Sequence, residues 1–318
     1  MDMTHQGTVP LTAQKRQSAF SRHLAAYLFI SPWILGFLFF TLGPLIFSLT
    51  MSFHDWPVVG ERTFIGFENY RTMLFDDPQF WESLWITVKF AAIYVPFNII
   101  ISFLVALMLH HANAWSGFFR TAFYLPSVIS GVALVTIWSW IYSREYGLLN
   151  FMLSMVGIDG PNWLGDPALA IVAIIIASLW GFGGTMLILL TGLKAIPTEL
   201  YEAATVSGVP GWAQMLFITL PMLGPMLLFT FITSIISAFQ QLTIALLLTK
   251  GGPLGSTYFF AMYIYDNAFK YFDMGYAAAG SWVMFLIVLL LSLLVMRWSS
   301  AWVYYEGEVR EKGGDRDA

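Results

Sequence analysis

His110 and His111 are the side chains of this sequence best suited by type to bind a metal ion or to transfer a proton. Neighbouring residues on a helix point about 100° apart, and no third ligand follows at helical spacing. The sequence also shows no Ser-His-Asp arrangement and no Gly-x-x-x-x-Gly-Lys-Ser/Thr phosphate loop. We therefore predict no catalytic residues, no metal site and no nucleotide site in this chain, and we attribute the histidines to packing where an apolar segment ends.

A second group of polar residues lies within or beside long apolar segments, where each could hydrogen-bond either a passing polar molecule or a neighbouring helix. The group comprises Asn98, Ser234, Gln240, Gln241 and Thr243. If residues 222–249 form one helix, Ser234, Ala238 and Gln241 lie at i, i+4 and i+7 and share one face. Gln240 is rotated off that face by about 100°, so we expect it to bond a neighbouring helix.

A polar interruption at residues 194–221 separates two apolar segments. Within it, Thr198 can N-cap a short helix over residues 199–207, and Gly208 can end that helix in the left-handed C′ position. Small and apolar side chains recur at i, i+3, i+4 and i+7 and form one face, which comprises Leu200, Ala203, Ala204 and Ser207. Because so short a helix is marginal alone, we expect it to dock, with the carboxylate of Glu202, in a groove of a partner protein.

The same interruption carries a motif that resembles the cytoplasmic loop signature of ABC importer permeases. The matching residues are Glu202, Ala203, Ala204, Gly208, Ile218, Leu220 and Pro221. Other stretches are similar to the carbohydrate-uptake branch of that family, the maltose and glycerol-phosphate type, and they cover residues 64–70, 118–126, 162–166, 193–197 and 251–253. One position departs from the pattern, because Ser207 stands where the family usually has an Asp.

The resemblance implies a type I ABC importer permease fold and a role as one half of a heterodimeric pore. The implied partners are a second homologous permease, two ATP-binding cassette subunits that bind ATP and Mg²⁺, and a periplasmic or lipid-anchored binding protein that delivers a sugar or a related polyol or oligosaccharide. Coupling to the ATPases would depend on Glu202, Ala203, Ala204, Gly208 and Pro221. The substrate path would be lined by Trp180, Gly181, Gly184, Ser234, Ala238 and Gln241.

Composition places the chain in a membrane. Of its 318 residues, 58% are hydrophobic and only 11% are charged, whereas soluble domains carry about 25% charged residues. The chain has no cysteine, which excludes disulfides and thiolate metal sites. It also has no basic cluster of the kind that binds nucleic acid, so we expect no nucleic acid among its partners. Its apolar composition instead predicts contact with membrane lipids.

Six apolar segments are long enough to cross a bilayer, which predicts an all-α, polytopic membrane protein. They cover residues 24–50, 84–109, 122–142, 168–193, 222–249 and 277–302. Together they form one domain over 24–302, with a coupling loop at 194–221 and polar tails at 1–23 and 303–318. With both tails in the cytoplasm of a prokaryote, nine of the 15 Lys and Arg residues lie on the inner side of its inner membrane, in agreement with the positive-inside rule.

Two other functions remain open from the residues alone. An ion-gradient-driven carrier normally places acidic residues inside its spans, and none of the six predicted spans contains Asp or Glu. The absence of acidic residues from the predicted spans also favours a cargo without net charge. A non-conducting membrane scaffold is the second alternative, because the polar residues within the spans could serve interhelical packing instead of transport.

Overall fold

Helices make up nearly all of the part of the chain that the structure describes. The structure is a computed structural model, and it describes residues 19–111 and 115–299. The chain divides after Thr50 into two units. Most of the tail predicted at 1–23 and all of the tail at 303–318 lie outside the described residues, whereas residues 19–23 already belong to the first helix.

The first unit contains the first predicted span, which is helical throughout. It comprises α1 (Ala19–Phe37), a π-helical turn (Leu38–Leu42) and α2 (Gly43–Met51), of which the last residue already belongs to the second unit. The stretch Tyr27–Met51 holds 25 residues of high mean hydropathy. This length is about 37 Å of helix, enough to cross a hydrocarbon core of about 30 Å.

The second unit begins at Met51 and contains two short strands and thirteen helices within the described residues. The first elements are β1 (His54–Asp55), β2 (Thr63–Phe64), α3 (Glu68–Arg71), α4 (Pro78–His111), α5 (Ser116–Val128) and α6 (Gly131–Ile141). The next are α7 (Leu148–Met155), α8 (Pro167–Leu179), α9 (Gly183–Ala195), α10 (Thr198–Val206), α11 (Gly211–Gln214) and α12 (Leu220–Met222). The last are α13 (Gly224–Phe239), α14 (Phe260–Phe269) and α15 (Met274–Ser299). Further π-helical turns cover Thr72–Asp76, Met215–Thr219 and Ala245–Thr249.

The helix of the second predicted span, α4, is longer than the expected 84–109. It starts at Pro78 because proline suits the first helical turn and because Asp77 Oδ1 accepts a hydrogen bond from the backbone N–H of Gln79 at 2.9 Å. Its 34 residues make about 51 Å of helix, so α4 extends beyond the bilayer. Pro96 lies inside α4 without ending it.

Three of the predicted spans are not single helices within the described residues. The pair α5 and α6 bends by 99°, the pair α8 and α9 by 48°, and the segment Gly211–Met222 meets α13 at 66°. The first break falls at Ser130, whose Oγ accepts a hydrogen bond from the backbone N–H of Ala133 and so starts α6. At such a bend some backbone N–H and C=O groups lack their partners within the helix. Inside a bilayer, these groups are tolerated only where they are buried in protein or line a water-filled cavity.

Gly183 lies at the break between α8 and α9 and packs closely against α5. A Cβ atom at this position would overlap the backbone carbonyl oxygen of Phe123 and the Cα atom of Tyr124. Glycine therefore allows the start of α9 to lie directly on the backbone of α5. Position 184 differs, because a Cβ atom there would meet open space.

Helix α4 is central to the second unit and packs against α8, α9, α13 and α14. One buried apolar cluster surrounds its first half, where Phe90 and Val95 meet Ile174 and Phe239. A second cluster surrounds its last turns and reaches the segment that follows α9. The end of α4 near His111 and the segment 194–223 therefore form one end of the bundle, which we call the loop end.

The opposite end, the hairpin end, is formed by the β1–β2 hairpin, α3 and α14. Asn69 fixes the hairpin by donating its side-chain N–H groups to the carbonyls of Ser52 at 2.9 Å and His54 at 3.0 Å. Backbone hydrogen bonds join the hairpin segment to the start of α15, from Val58 to Phe272 and from Met274 to Trp56.

Asp77 ties α14 and α15 to the start of α4. Its Oδ2 accepts hydrogen bonds from the hydroxyls of Tyr263 at 2.6 Å and Tyr276 at 2.9 Å. Burial raises the pKa of Tyr263, and its hydrogen bond to Asp77 raises that pKa further, so this hydroxyl stays protonated and remains a donor. The sequence pattern predicts no helix at α14.

Candidate functional site

The coupling loop at 194–221 contains the predicted short helix as α10 (Thr198–Val206). Thr198 is the first helical residue, and Pro197 occupies the N-cap position without a side-chain hydrogen bond. The prediction that Thr198 caps this helix is therefore wrong. The reason lies in Pro197, whose φ of −59° and ψ of 130° already turn the chain into the helix one residue earlier.

Gly208 ends α10 in the predicted left-handed conformation, with φ of +74°. The backbone N–H of Val209 donates to the carbonyl of Ala204 at 2.9 Å, and that of Gly208 donates to the carbonyl of Thr205 at 3.0 Å. This pair of bonds is a Schellman motif, which needs a residue that accepts positive φ at C′. Ser207, which replaces the usual Asp of the family pattern, donates its hydroxyl to the carbonyl of Ala203 at 2.9 Å and so bonds within its own helix.

Hydrogen bonds within the loop support α10 from one side. The hydroxyls of Tyr201 and Thr219 lie 2.9 Å apart in a hydrogen bond. Gln214 donates its side-chain N–H to the carbonyl of Val209 at 2.9 Å. Ala204 is the one buried residue of α10, so α10 and the turn after it form one supported unit.

The other side of α10 is exposed. Glu202 and Ala203, the first two residues of the motif, are exposed among the residues that the structure describes. Leu200 and Val206 are exposed as well, and Val206 retains 90% of its accessible surface. Pro221 is half-buried in α12. The loop thus presents an acid among uncovered apolar side chains at the loop end of the bundle, which is the surface expected of a docking element.

The two histidines of the sequence analysis lie beside this loop. His110 and His111 line a cavity of about 430 Å³ between the end of α4 and the coupling loop, together with Tyr201 and Gln214. His111 Nδ1 lies 2.9 Å from the carbonyl oxygen of Leu107 in its own helix. Within residues 19–111 and 115–299 no three His, Asp or Glu side chains come together in a manner that could hold a metal ion.

The middle of the bundle holds a polar junction around Asn98. Its side-chain N–H group donates to the hydroxyls of Thr185 and Ser234, each at 3.2 Å, and so joins α4, α9 and α13. Ser234 is 5% exposed and Ala238 is 1% exposed. Both residues therefore face into this chain rather than towards an open path.

Gln241 does not lie on the helix that was expected to carry it. Helix α13 ends at Phe239, so the i+7 relation between Ser234 and Gln241 does not apply. The side-chain N–H of Gln241 instead donates to the hydroxyl of Ser178 at 3.1 Å, close to the end of α8. A continuous helix across 222–249 is thus replaced by a break at residues 240–242.

Gln240 has the opposite environment from the one predicted. Its side chain is exposed and makes no hydrogen bond to another residue of the described chain. It lines a groove of about 410 Å³ between α13 and α15, where Ser281 and Ser292 are the other polar side chains. The expectation that Gln240 bonds a neighbouring helix of this chain is wrong, because its backbone already turns out of α13.

Trp180 and the glycines after it lie at the break between α8 and α9. The rings of Trp180 and Trp138 meet edge to face with centroids 5.8 Å apart. Gly181 and Gly184 are half-buried, and the space next to Gly184 is open. The predicted path residues therefore divide into two sets. Trp180, Gly181, Gly184 and Gln241 lie at or beside the helix breaks, whereas Ser234 and Ala238 are packed inside.

Sequence reasoning missed two residues of this region, Ser178 and Thr185, which accept the hydrogen bonds of Gln241 and Asn98. The available signal was a hydroxyl residue inside an apolar span. Small hydroxyl residues are common in membrane helices and usually bond their own backbone, so the signal alone did not distinguish these two.

Comparison with known proteins is consistent with this geometry. The model of a family described as "binding-protein-dependent transport system inner membrane component" matches residues 98–303. The chain is 40% identical over 299 residues to the probable ABC transporter permease protein YesP of Bacillus subtilis (strain 168), covering 93% of this chain and 96% of that protein. It is 37% identical over 277 residues to the lactose transport system permease protein LacF of Rhizobium radiobacter, covering 84% and 91%.

A solved structure shares the fold. It is that of a bacterial alginate ABC transporter in complex with an alginate pentasaccharide-bound periplasmic protein. The matching chain has a TM-score of 0.77 and 24% sequence identity, with 87% of this chain and 94% of that chain covered.

Proposed function

The chain belongs to the family of binding-protein-dependent transport system inner membrane components, and from that premise we propose that it forms one half of the pore of an ATP-driven sugar importer. The cargo is a sugar or a related polyol or oligosaccharide. The proposal is supported by relatives such as the lactose permease protein and by the lack of acidic residues in the predicted spans. An extracytoplasmic binding protein, soluble or lipid-anchored, delivers the cargo.

The observation that carries the proposal is the coupling loop. Its supported side is fixed by the bond between Tyr201 and Thr219, and its open side presents Glu202 and Val206. A rigid element with an exposed acid and exposed apolar side chains suits a groove of an ATP-binding subunit. Because α10 is joined to the bundle through α9 and α12, a displacement of the docked subunit moves the helix ends at the loop end.

Two ATP-binding subunits supply the energy, since the sequence lacks a phosphate loop of its own. ATP and Mg²⁺ are bound there, and a second homologous permease completes the pore. Orientation follows from the Lys and Arg count, which favours a cytoplasmic loop end and cytoplasmic termini. The hairpin end then faces the binding protein.

The sugar path runs beside the two helix breaks. Broken helices expose backbone carbonyl and N–H groups, and in membrane transporters such groups bind substrates at mid-depth. Gln241 joins one break to the other through Ser178. We assign hydrogen bonding of sugar hydroxyls to Gln241, a stacking wall to Trp180, and space for the cargo to Gly181 and Gly184. Ser234, which Asn98 hydrogen-bonds, and the buried Ala238 support the path from behind.

The geometry does not favour a gradient-driven carrier. Within the described residues, the buried acid Asp266 lies in the short helix α14, where Tyr258 donates to it at 3.0 Å and Lys270 lies 3.5 Å away. The charge of Asp266 is thus compensated at the hairpin end of the bundle, whereas a coupling-ion site would need an acid near the middle of the membrane. A scaffold without a pore role does not account for the helix breaks.

Reconstituted vesicles test the proposal directly. The chain, its partner permease, the two ATPases and the binding protein are reconstituted together, and labelled sugar uptake is measured. We expect uptake to require ATP, to stop when the ATPase loses its catalytic residues, and to continue after an ionophore collapses the proton gradient. Uptake driven by a gradient in vesicles without ATP contradicts the proposal.

A further inference from the structure

Helix α7 carries a stripe of uncovered apolar side chains. Its eight residues contain no Asp, Glu, Lys or Arg. Leu148, Phe151, Met152 and Met155 lie at i, i+3, i+4 and i+7, and are 41%, 57%, 56% and 70% exposed. These four residues, which we call the α7 stripe, form one continuous face of the helix.

The rotation of α7 about its axis is fixed from the other side. Asn150 donates its side-chain N–H group to the carbonyls of Arg144 and Pro161, each at 3.2 Å, and its Oδ1 accepts a hydrogen bond from Trp163 Nε1 at 2.8 Å. Leu149 packs against the main buried cluster. The exposure of the α7 stripe therefore results from a defined attachment and not from a helix that is free to turn.

The attachment also sets the level of α7 along the bundle. Tyr142, just after α6, donates its hydroxyl to the carbonyl of Ala173 in the second turn of α8 at 2.8 Å. Asp166 caps the start of α8 by accepting a hydrogen bond from the backbone N–H of Ala168 at 2.8 Å. The segment 143–166 thus lies at the level where α8 begins, at the hairpin end of the bundle. This is where spans leave the hydrocarbon core.

We propose that α7 lies in the plane of the membrane surface at the hairpin end, with the α7 stripe in the boundary between lipid headgroups and acyl chains. The inference rests on membership of an inner-membrane family and is independent of which solute is carried. Eight residues make about 12 Å of helix, too short to cross a bilayer but suited to lie on one.

The residues around α7 match this placement. Arg144 and Glu145 precede the helix, and Asp159 follows it, and all three are exposed. Tyr146 is an exposed aromatic residue of the kind enriched at the membrane–water interface. Charges therefore border the α7 stripe at both ends. The adjoining helices α6 and α8 also expose apolar side chains, at Trp140 and Val172, and lipid is the one occupant that covers these and the α7 stripe alike.

Spin labelling tests this arrangement with the full chain. Since the chain has no cysteine, each single-cysteine variant carries one nitroxide. We place labels in the α7 stripe with Phe151→Cys and Met155→Cys, and in the bordering polar segment with Asp159→Cys. The assembled transporter is studied in nanodiscs of phosphatidylethanolamine and phosphatidylglycerol, and collision rates with oxygen and with a water-soluble nickel chelate are compared.

We expect the two stripe labels to collide with oxygen and to be shielded from nickel by about tenfold relative to the label at 159, with or without binding protein. Strong nickel collision at both stripe positions would show a stripe in water and would overturn the proposal. Protection from both reagents that arises only when substrate-loaded binding protein is added would also overturn it, because the stripe would then be a docking surface for that protein. Sugar uptake by each labelled variant verifies that the transporter is intact.

Discussion

The side-chain N–H of Gln241 donates to the hydroxyl of Ser178 across 3.1 Å, and this bond links the ends of two broken helices. Ser178 is the second-last residue of α8, and Gln241 follows the end of α13. Because Ser178 lies in the last turn of α8 and Gln241 just beyond the end of α13, a movement of one helix end reaches the other through this pair of side chains. A bond at this place is suited to a site that must open and close.

Gln241→Leu is expected to reduce sugar uptake by at least tenfold, since it removes the polar group that we assign to the cargo. Ser178→Ala is the matched control, because it breaks the same bond but leaves the Gln241 amide free for the sugar. We expect its uptake to fall by less than threefold. Equal loss in the two variants, measured as uptake per assembled complex, would assign Gln241 a structural role only.

Gln240→Leu is expected to change assembly more than selectivity. The exposed amide lines a groove between α13 and α15, and in a bilayer an exposed amide needs a partner outside this chain. We therefore expect less second permease to co-purify with this variant, while the order in which different sugars are accepted stays the same. A changed sugar preference with normal assembly would place Gln240, rather than Gln241, in the path.

Glu202→Lys is expected to abolish uptake while the chain remains in the membrane. The substitution reverses the charge on the exposed side of α10, which we expect to meet the ATPase. Glu199→Lys is the matched control, because it reverses an exposed charge in the first turn of the same helix outside the motif. Co-purified ATPase and uptake are measured together, and normal values for Glu202→Lys would exclude this residue from coupling.

Gly208→Val is expected to weaken coupling through the backbone. The residue has φ of +74°, which costs a residue with a Cβ atom about 1–2 kcal/mol. A Cβ atom here meets no described atom within 4 Å, so the expected cost lies in the backbone conformation and not in a contact of the Cβ atom. Gly211→Val is the matched control in the same loop. A Cβ atom at position 211 also meets open space, but the backbone there does not have a positive φ. This variant should therefore retain most of the uptake.

Gly183→Ala and Gly184→Ala are expected to differ sharply although they are neighbours. The first places a methyl group on the Phe123 carbonyl, and overpacking of this kind costs about 1–3 kcal/mol. The second points into open space. Thermal unfolding of the purified complex should show a lower midpoint for the first variant only. Gly184→Leu should then restrict uptake to smaller sugars, if this space receives the cargo.

The sequence predicted the positions of the spans better than their continuity. Runs of apolar residues identify a span regardless of how the helix bends, so 168–193 and 222–249 were assigned as single segments. The breaks at Trp180 and Gln240 contain no proline, and the close approach of Gly183 to Phe123 depends on a second helix that no local pattern reveals. Helix α14 was missed because its ten residues are too few to read as a span, and Asp266 interrupts their apolar character.

In the candidate site, too, features set by the local sequence could be predicted, whereas features set by distant contacts could not. Gly208 could be assigned correctly because its conformation follows from the end of one short helix. The orientation of Gln240 and Gln241 could not, since it depends on where α13 stops, and a helical repeat carries no information beyond the last helical residue. The burial of Ser234 depends on Asn98, which is 136 residues away in sequence.

The bonds from Tyr263 and Tyr276 to Asp77 also order the events of biosynthesis. These tyrosines follow Asp77 by 186 and 199 residues, which a ribosome needs roughly 10–40 s to add at 5–20 residues per second. Throughout that interval the nascent hairpin end lacks at least one of these bonds, and the bond from Tyr276 forms only once α15 has been made. A chain truncated before α15 therefore keeps the bond from Tyr263 but lacks the bond from Tyr276, so its hairpin end has one contact fewer than that of a finished chain.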